Sequence, residues 1–227
     1  MLNRKHTAHF GEDQHLGSGD LSAGTRLSIG KRQTLFRAQE PAPSIYEVLT
    51  GAFMVYRLID DGRRQIIDIA LPGSLCGFTR APVHESSCEA LVPSTVHIYD
   101  RVMLSTGDAT GARLAQKMER QICALADHIA LLGRRTTEER LAAFLIMCSQ
   151  VWKTASDGHA TVFRIPMTRV EIGDYLGMTM ETVSRGIADF ERRGLIRTGP
   201  SQGEMRVFSI DALPSAKTVR RNRNRPG

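Results

Sequence analysis

The chain has 227 residues, enough for two small domains, with 41% apolar and 24% charged side chains. That balance is ordinary for a folded globular protein and excludes global disorder. No run reaches the roughly 18 apolar residues that a membrane-spanning helix needs. The first twenty residues also lack the apolar core of a secretory signal, so a cytoplasmic location is expected, with no membrane partner.

The net charge is +6, from 30 basic and 24 acidic residues, and it is unevenly placed. Residues 1–132 hold 14 groups of each sign, whereas residues 133–227 hold 16 basic and 10 acidic groups. Lys217, Arg220, Arg221, Arg223 and Arg225 crowd the last eleven residues. A neutral first half and a basic second half point to a polyanion that meets the second half alone; a solubilising surface with a loose tail is the plainer alternative. Cys76, Cys88, Cys123 and Cys148 are scattered with no C-x-x-C pair. They read as reduced thiols acting as small core side chains.

Residues 1–24 are polar, rich in Gly and Ser, and aperiodic, as expected of a flexible arm. Over residues 25–107 short apolar runs alternate with turn signals. Glu47-Val48-Leu49 precedes Gly51, the run 52–56 precedes Asp60-Asp61-Gly62, and the run 66–71 precedes Pro72-Gly73. A last run covers 94–99. Strands of about five residues at such spacing predict an antiparallel barrel or roll, with Asp60-Asp61-Gly62 as its clearest hairpin turn.

The pattern changes near Asp108. Over 108–133 apolar or small residues recur at Gly111, Ala115, Met118, Ile122, Leu125, Ile129 and Leu132, in alternating steps of four and three. That heptad spacing predicts one long amphipathic helix. A stripe of two positions in seven favours a partner helix, most simply a symmetry mate in a homodimer; packing on its own β domain is the alternative. The predicted dimer interface is Ala115, Met118, Ile122, Leu125, Ile129 and Leu132. Beyond Gly133-Arg134-Arg135 a second helix is expected over 137–152, with Leu141, Phe144, Leu145 and Cys148 on one face. The loop Ser156-Asp157-Gly158-His159 ends it, and a short strand follows over 161–166.

Residues 134–212 form the last folded unit, ahead of a basic disordered tail over 213–227. Thr168 can cap a helix, with Glu171 completing a capping box. Val170, Ile172, Tyr175 and Leu176 supply its apolar face. Gly177 permits the left-handed residue that ends it. Thr179 caps a second helix, with Thr182 at its third position, and Val183, Ile187 and Phe190 face inward. Two short helices around a glycine turn describe a helix-turn-helix. The outer face of the second helix carries Met180, Glu181, Ser184, Arg185 and Ala188. Glutamate can accept from a cytosine amino group, arginine can donate twice to guanine, and serine can serve either. A surface ion pair between Glu181 and Arg185 is the bland alternative. The runs 194–196 and 205–210, around Gly199-Pro200-Ser201-Gln202-Gly203, suggest a β-hairpin wing.

Glu181-Thr182-Val183-Ser184-Arg185, preceded by Thr168-Arg169 and Ile172-Gly173, resembles the DNA-binding signature of the CRP/FNR superfamily of bacterial transcription regulators. The resemblance covers about residues 25–212 and implies an α+β chain. Its parts are an N-terminal cyclic-nucleotide-binding-like β-roll, a long dimerisation helix and a C-terminal winged helix-turn-helix. It implies that Glu181, Ser184 and Arg185 read bases, that Thr168, Arg169, Thr179 and Thr182 lie near phosphates, and that RNA polymerase is a partner. The Glu-x-x-Ser-Arg form is similar to the FNR and FixK branch, which implies a TTGA…TCAA palindrome and, as the commoner family behaviour, activation.

The sensor region departs from that family's ligand binders. Cyclic-nucleotide-binding members carry Gly-Glu and then an arginine cassette for the phosphate. Here Gly77 leads to Phe78, and His84-Glu85-Ser86-Ser87-Cys88-Glu89-Ala90-Leu91 has no arginine, so cyclic AMP is not expected. Iron–sulfur members need several cysteines near the N-terminus, whereas the first here is Cys76, so no cluster and no other cofactor is expected. A haem or thiol redox sensor using His84, His97, Cys76 or Cys88 is a rival mechanism. A cupin-like metalloenzyme is a rival class, but it wants a His-x-His cluster that the chain lacks, so neither a catalytic nor a metal site is expected.

Overall fold

The computed structural model describes residues 24–134, 136–156 and 160–214. The expectations for the arm up to residue 23, for Asp157-Gly158-His159 and for the basic segment from residue 215 lie outside the described residues. The chain divides into two compact units, Met1–Arg57 with Ile69–Met118, and Leu58–Asp68 with Glu119–Gly227. This division falls at Met118, within the segment 108–133. A short piece around residue 62 joins the second unit.

Among the described residues eight strands supply the roll: β1 (Arg26–Ile29), β2 (Thr34–Phe36), β3 (Ser44–Thr50), β4 (Phe53–Leu58), β5 (Arg64–Ala70), β6 (Leu75–Cys76), β7 (Ser87–Ala90) and β8 (Ser94–Asp100). They form two four-stranded sheets, in the orders β1-β8-β3-β6 and β2-β7-β4-β5. Period-two alternation decides which side of a strand is buried. Along β8, Ser94, Val96 and Ile98 are buried while Thr95 and His97 are half-buried. The Asp60-Asp61-Gly62 turn links β4 to β5: the Gly62 amide donates to Ile59 O at 2.7 Å, and the Arg63 amide donates to Asp61 Oδ1 at 3.0 Å.

The helix α1 (Ala109–Arg134) starts on this unit. Leu114 is fully buried with Ile45, Leu75 and Tyr99, and Met118 packs against the same cluster. Beside that apolar contact sits a carboxylate, Glu47 on β3, only 7% exposed. It accepts from Tyr99 Oη at 2.8 Å, Lys117 Nζ at 3.1 Å and Arg113 Nη1 at 3.3 Å. Arg113 also donates to Tyr99 Oη. Burial opposes ionisation of Glu47, but the bonds from Tyr99 and Lys117 and the charges of Lys117 and Arg113 outweigh it and hold the carboxyl below its ordinary range. The first turns of α1 are thus fastened to the roll by apolar packing and by an ionised clamp.

In the second unit α1 continues to α2 (Thr137–Val151), β9 (Lys153–Ser156), β10 (Thr161–Arg164), α3 (Arg169–Leu176), α4 (Met180–Arg192), β11 (Ile196–Thr198) and β12 (Glu204–Val207). A capping box of Thr136 and Glu139 opens α2, and Leu141, Phe144, Leu145 and Cys148 are buried from it. β9 pairs with β10 in the four-stranded sheet β11-β12-β10-β9, although the sequence reading places only a helix end and a loop there. β10 stops at Arg164, ahead of Pro166, and β12 stops at Val207, short of the run read to residue 210. Leu213 is 3% exposed, so packing reaches into the segment read as tail.

Candidate nucleic-acid interface

The site is built on α3, a tight turn and α4. Thr168 caps α3: its hydroxyl accepts from the Glu171 amide at 3.2 Å, and the Glu171 carboxylate accepts from the Thr168 amide at 2.7 Å. Ile172, Tyr175 and Leu176 are buried as expected, but Val170 is 48% exposed and leaves the core face. A Cβ on Gly173 would lie 2.5 Å from the Met178 carbonyl oxygen, so this helix and the turn approach closer than any side chain permits. Gly177 ends α3 at φ 62 and ψ 47, the left-handed geometry that glycine adopts without strain. Thr179 then caps α4, accepting from the Thr182 amide at 3.2 Å. Val183, Ile187 and Phe190 anchor α4 in the core.

This anchoring turns one face of α4 outward. Glu181, Ser184, Arg185 and Ala188 are exposed, and Met180 is 44% exposed at the first helical position. The three side chains expected to read bases therefore share the N-terminal outer face, the end that enters a major groove first. Bonding to its own amide and to the Thr179 hydroxyl, with the charge of Arg185 nearby, holds the Glu181 carboxyl below its ordinary range. At neutral pH it is an acceptor only, beside a fixed donor at Arg185.

Thr168 and Arg169, on the first turn of α3, line a groove of about 410 Å³ with Ile172, Ser201 and Gln202 of the β11–β12 loop. Burial lowers the pKa of Arg169, against the pull of Glu191. Glu191 also ties the wing to α4, accepting from the amide and hydroxyl of Thr198, both at 2.7 Å. Thr182 lines a second groove, of about 310 Å³, with Arg185 and the start of α2. The wing sets Arg197 opposite Arg206 in register on its exposed face.

The heptad stripe of α1 splits between two directions. Met118, Leu125 and Leu132 are half-buried, whereas Ala115 is exposed and Ile122 and Ile129 are 58% and 69% exposed. His128 turns the other way and stacks on Tyr175 of α3, centroids 4.2 Å apart and planes at 15°. Three of the four free cysteines are buried as expected, but Cys123 on α1 is exposed. Among the described residues no three His, Cys, Asp or Glu side chains gather as a metal site.

Residues 139–215 match the Crp-like helix-turn-helix domain, and residues 26–105 match the cyclic nucleotide-binding domain. The chain is 34% identical over 196 residues to the nitrogen fixation regulation protein FixK of Bradyrhizobium diazoefficiens, covering 83% of this chain and 78% of that one. The chain belongs to the CRP/FNR family of transcription regulators. This regulator is also 33% identical to the transcriptional activatory protein AadR of Rhodopseudomonas palustris, over 88% of its own length and 87% of that protein. The solved structure of FixK2 from Bradyrhizobium japonicum superposes with a TM-score of 0.70 at 32% identity, covering 82% of this chain and 93% of that one. The roll and the winged helix-turn-helix are thus the family's two modules, and the regulator binds DNA rather than catalysing a reaction. Among its described residues no helix is long and apolar enough to cross a membrane.

Sequence reasoning passed over Glu191. Glu191 carries no local signal, because its partner lies seven residues on, beyond the helix end. The sequence reading sets Met180 on the outer face of α4 without a role, and an exposed apolar group there can contact a thymine methyl.

Proposed function

We propose that this regulator is a homodimeric activator that reads a TTGA…TCAA-type palindrome through α4, needs neither cyclic AMP nor an iron–sulfur cluster, and works with RNA polymerase in the cytoplasm. The observation that carries the reading is the shared exposure of Glu181, Ser184 and Arg185 on the outer N-terminal face of α4. Thr168, Arg169, Thr179 and Thr182 are assigned to phosphates, at helix starts where the peptide dipoles favour an anion. Ala115, Ile122 and Ile129 form the outward stripe that a second copy would cover, and Met118, Leu125 and Leu132 would border it. The name of AadR, an activatory protein, favours activation.

Two carboxylates of the roll speak against a cyclic phosphate as its ligand. Glu89 faces Arg32 at 3.3 Å, and Glu85 faces Arg57 at 2.6 Å. These carboxylates stand in the segment where the resemblance places an arginine for the phosphate, and each engages an arginine of the roll instead. No cysteine precedes Cys76 in this sequence. The test is fluorescence anisotropy of the effector-free protein on a TTGA…TCAA duplex and on a scrambled one, at about 0.15 M salt. The palindrome should bind at least roughly tenfold more tightly. Equal binding would overturn the reading.

A further inference from the structure

Two residues at the start of β5 hold α3, 110 positions away in sequence. Arg64 Nε donates to Asp174 Oδ2 at 2.8 Å, and Arg64 Nη2 lies 3.8 Å from Glu171 Oε1. Gln65 Nε2 donates to the Asp174 carbonyl oxygen at 2.5 Å. Glu171 and Asp174 are three apart on one face of α3, so a single guanidinium spans both. The contact is sheltered: the Arg64, Asp174 and Glu171 side chains are 24%, 20% and 5% exposed. Gln121 on α1 adds a bond to Asp68 Oδ2 at 2.7 Å, further fixing the same hairpin.

Glu171 is also the residue whose other oxygen holds the Thr168 amide, the cap of α3. A short chain of contacts therefore runs from Arg64 through Glu171 to Thr168 and Arg169. α4 hangs from α3 by the turn that Gly173 and Gly177 fix. Any shift of α3 moves the phosphate-facing turn and the base-reading helix together.

We propose that Arg64 is a positioning residue for DNA binding: it acts through Asp174 and Glu171 to hold α3, and touches no DNA itself. This rests on the assignment of α3 and α4 as the DNA-contacting helices. Simple electrostatics and positioning give opposite signs at one of the two partners. If the pair mattered only as charges near a polyanion, Arg64→Ala would weaken binding and Asp174→Asn would tighten it. Under positioning both weaken it, and the double variant is no weaker than either single one.

The experiment is anisotropy on the palindrome and on the scrambled duplex for wild type, Arg64→Ala, Asp174→Asn and the double variant, with circular dichroism to establish folding. Each variant should bind both duplexes about tenfold more weakly, with the slope of log K against log salt unchanged, because no phosphate contact is lost. Arg64→Lys keeps the charge but cannot span both carboxylates, and it should show a smaller loss of the same sign even if Arg64→Ala misfolds. Tighter binding by Asp174→Asn, affinity of Arg64→Ala within twofold of wild type, or a salt slope reduced by about one would each overturn the proposal. Should wild type fail to prefer the palindrome, the specificity reading fails while the variant comparison still stands on the scrambled duplex.

Discussion

Replacing Glu47 by glutamine tests how α1 is fastened to the roll. Glutamine keeps the shape and one acceptor for Tyr99 but removes the charge that Lys117 and Arg113 face. The Lys117 side chain is 14% exposed, so the loss of its charge-assisted bond costs about 1.5–3 kcal/mol. Arg113 is 48% exposed and solvent screens it, so it adds only about 0–1 kcal/mol. The total is about 1.5–4 kcal/mol, which lowers the melting temperature by roughly 3–16 °C in a chain of this size. Thermal melts followed by circular dichroism at pH 7 read this directly. Glu47→Leu combined with Lys117→Met should recover part of the loss, because the one charge then left in the contact is that of Arg113, which solvent screens. The pH dependence has a definite sign. The folded pKa of Glu47 lies below its ordinary 4.5, so the clamp is fully present above that pH and is lost as pH falls through the folded value. The gap between wild type and Glu47→Gln should close over that window. A variant that melts within about 1 °C of wild type at pH 7 would refute the reasoning.

Arg185→Ala should lower affinity for the palindrome by about 1–3 kcal/mol and leave the scrambled duplex almost unchanged, as read by anisotropy. Glutamate at both Ile122 and Ile129 should yield monomers in sedimentation velocity without unfolding either unit, since both side chains are exposed. Gly173→Ala should destabilise the C-terminal unit by about 1–3 kcal/mol in urea unfolding, because the new methyl meets a carbonyl oxygen that cannot move freely. His128 has its pKa lowered by burial, partly opposed by the Tyr175 backbone. Its contribution to stability is therefore full above about pH 6.5 and is lost as pH falls through the folded value. His128→Phe should flatten that part of a stability–pH curve.

Much of this molecule is legible in its sequence because its signals are local. Thr168 with Glu171, and Thr179 with the Thr182 amide, are relations three residues apart, and both appear in the structure as read. The turn at Gly177 and the inward Val183, Ile187 and Phe190 follow from spacing alone. β9 is not legible, because Lys153–Ser156 follows the end of α2 directly and all four of its residues are exposed, leaving no alternation to read. The heptad period of α1 is legible but its direction is not. A stripe of period 3.5 says that something covers it, and Met118 shows that the chain's own roll covers part. Val170 is misread as core because apolar side chains also stand on surfaces. The hold of Arg64 on Asp174 spans 110 positions, a distance over which no periodicity speaks.

The cysteines give this regulator a built-in handle. Cys76, Cys88 and Cys148 are buried, and burial pushes the Cys148 thiol well above its ordinary range, where almost no reactive thiolate exists at neutral pH. Cys123 alone is exposed, next to Ile122 on the outer side of α1. A maleimide dye or spin label added to the native protein would therefore settle at one position per chain, with no engineering. Two such labels in a pair of copies would act as a ruler laid across the helix, reporting assembly and its geometry in the same measurement.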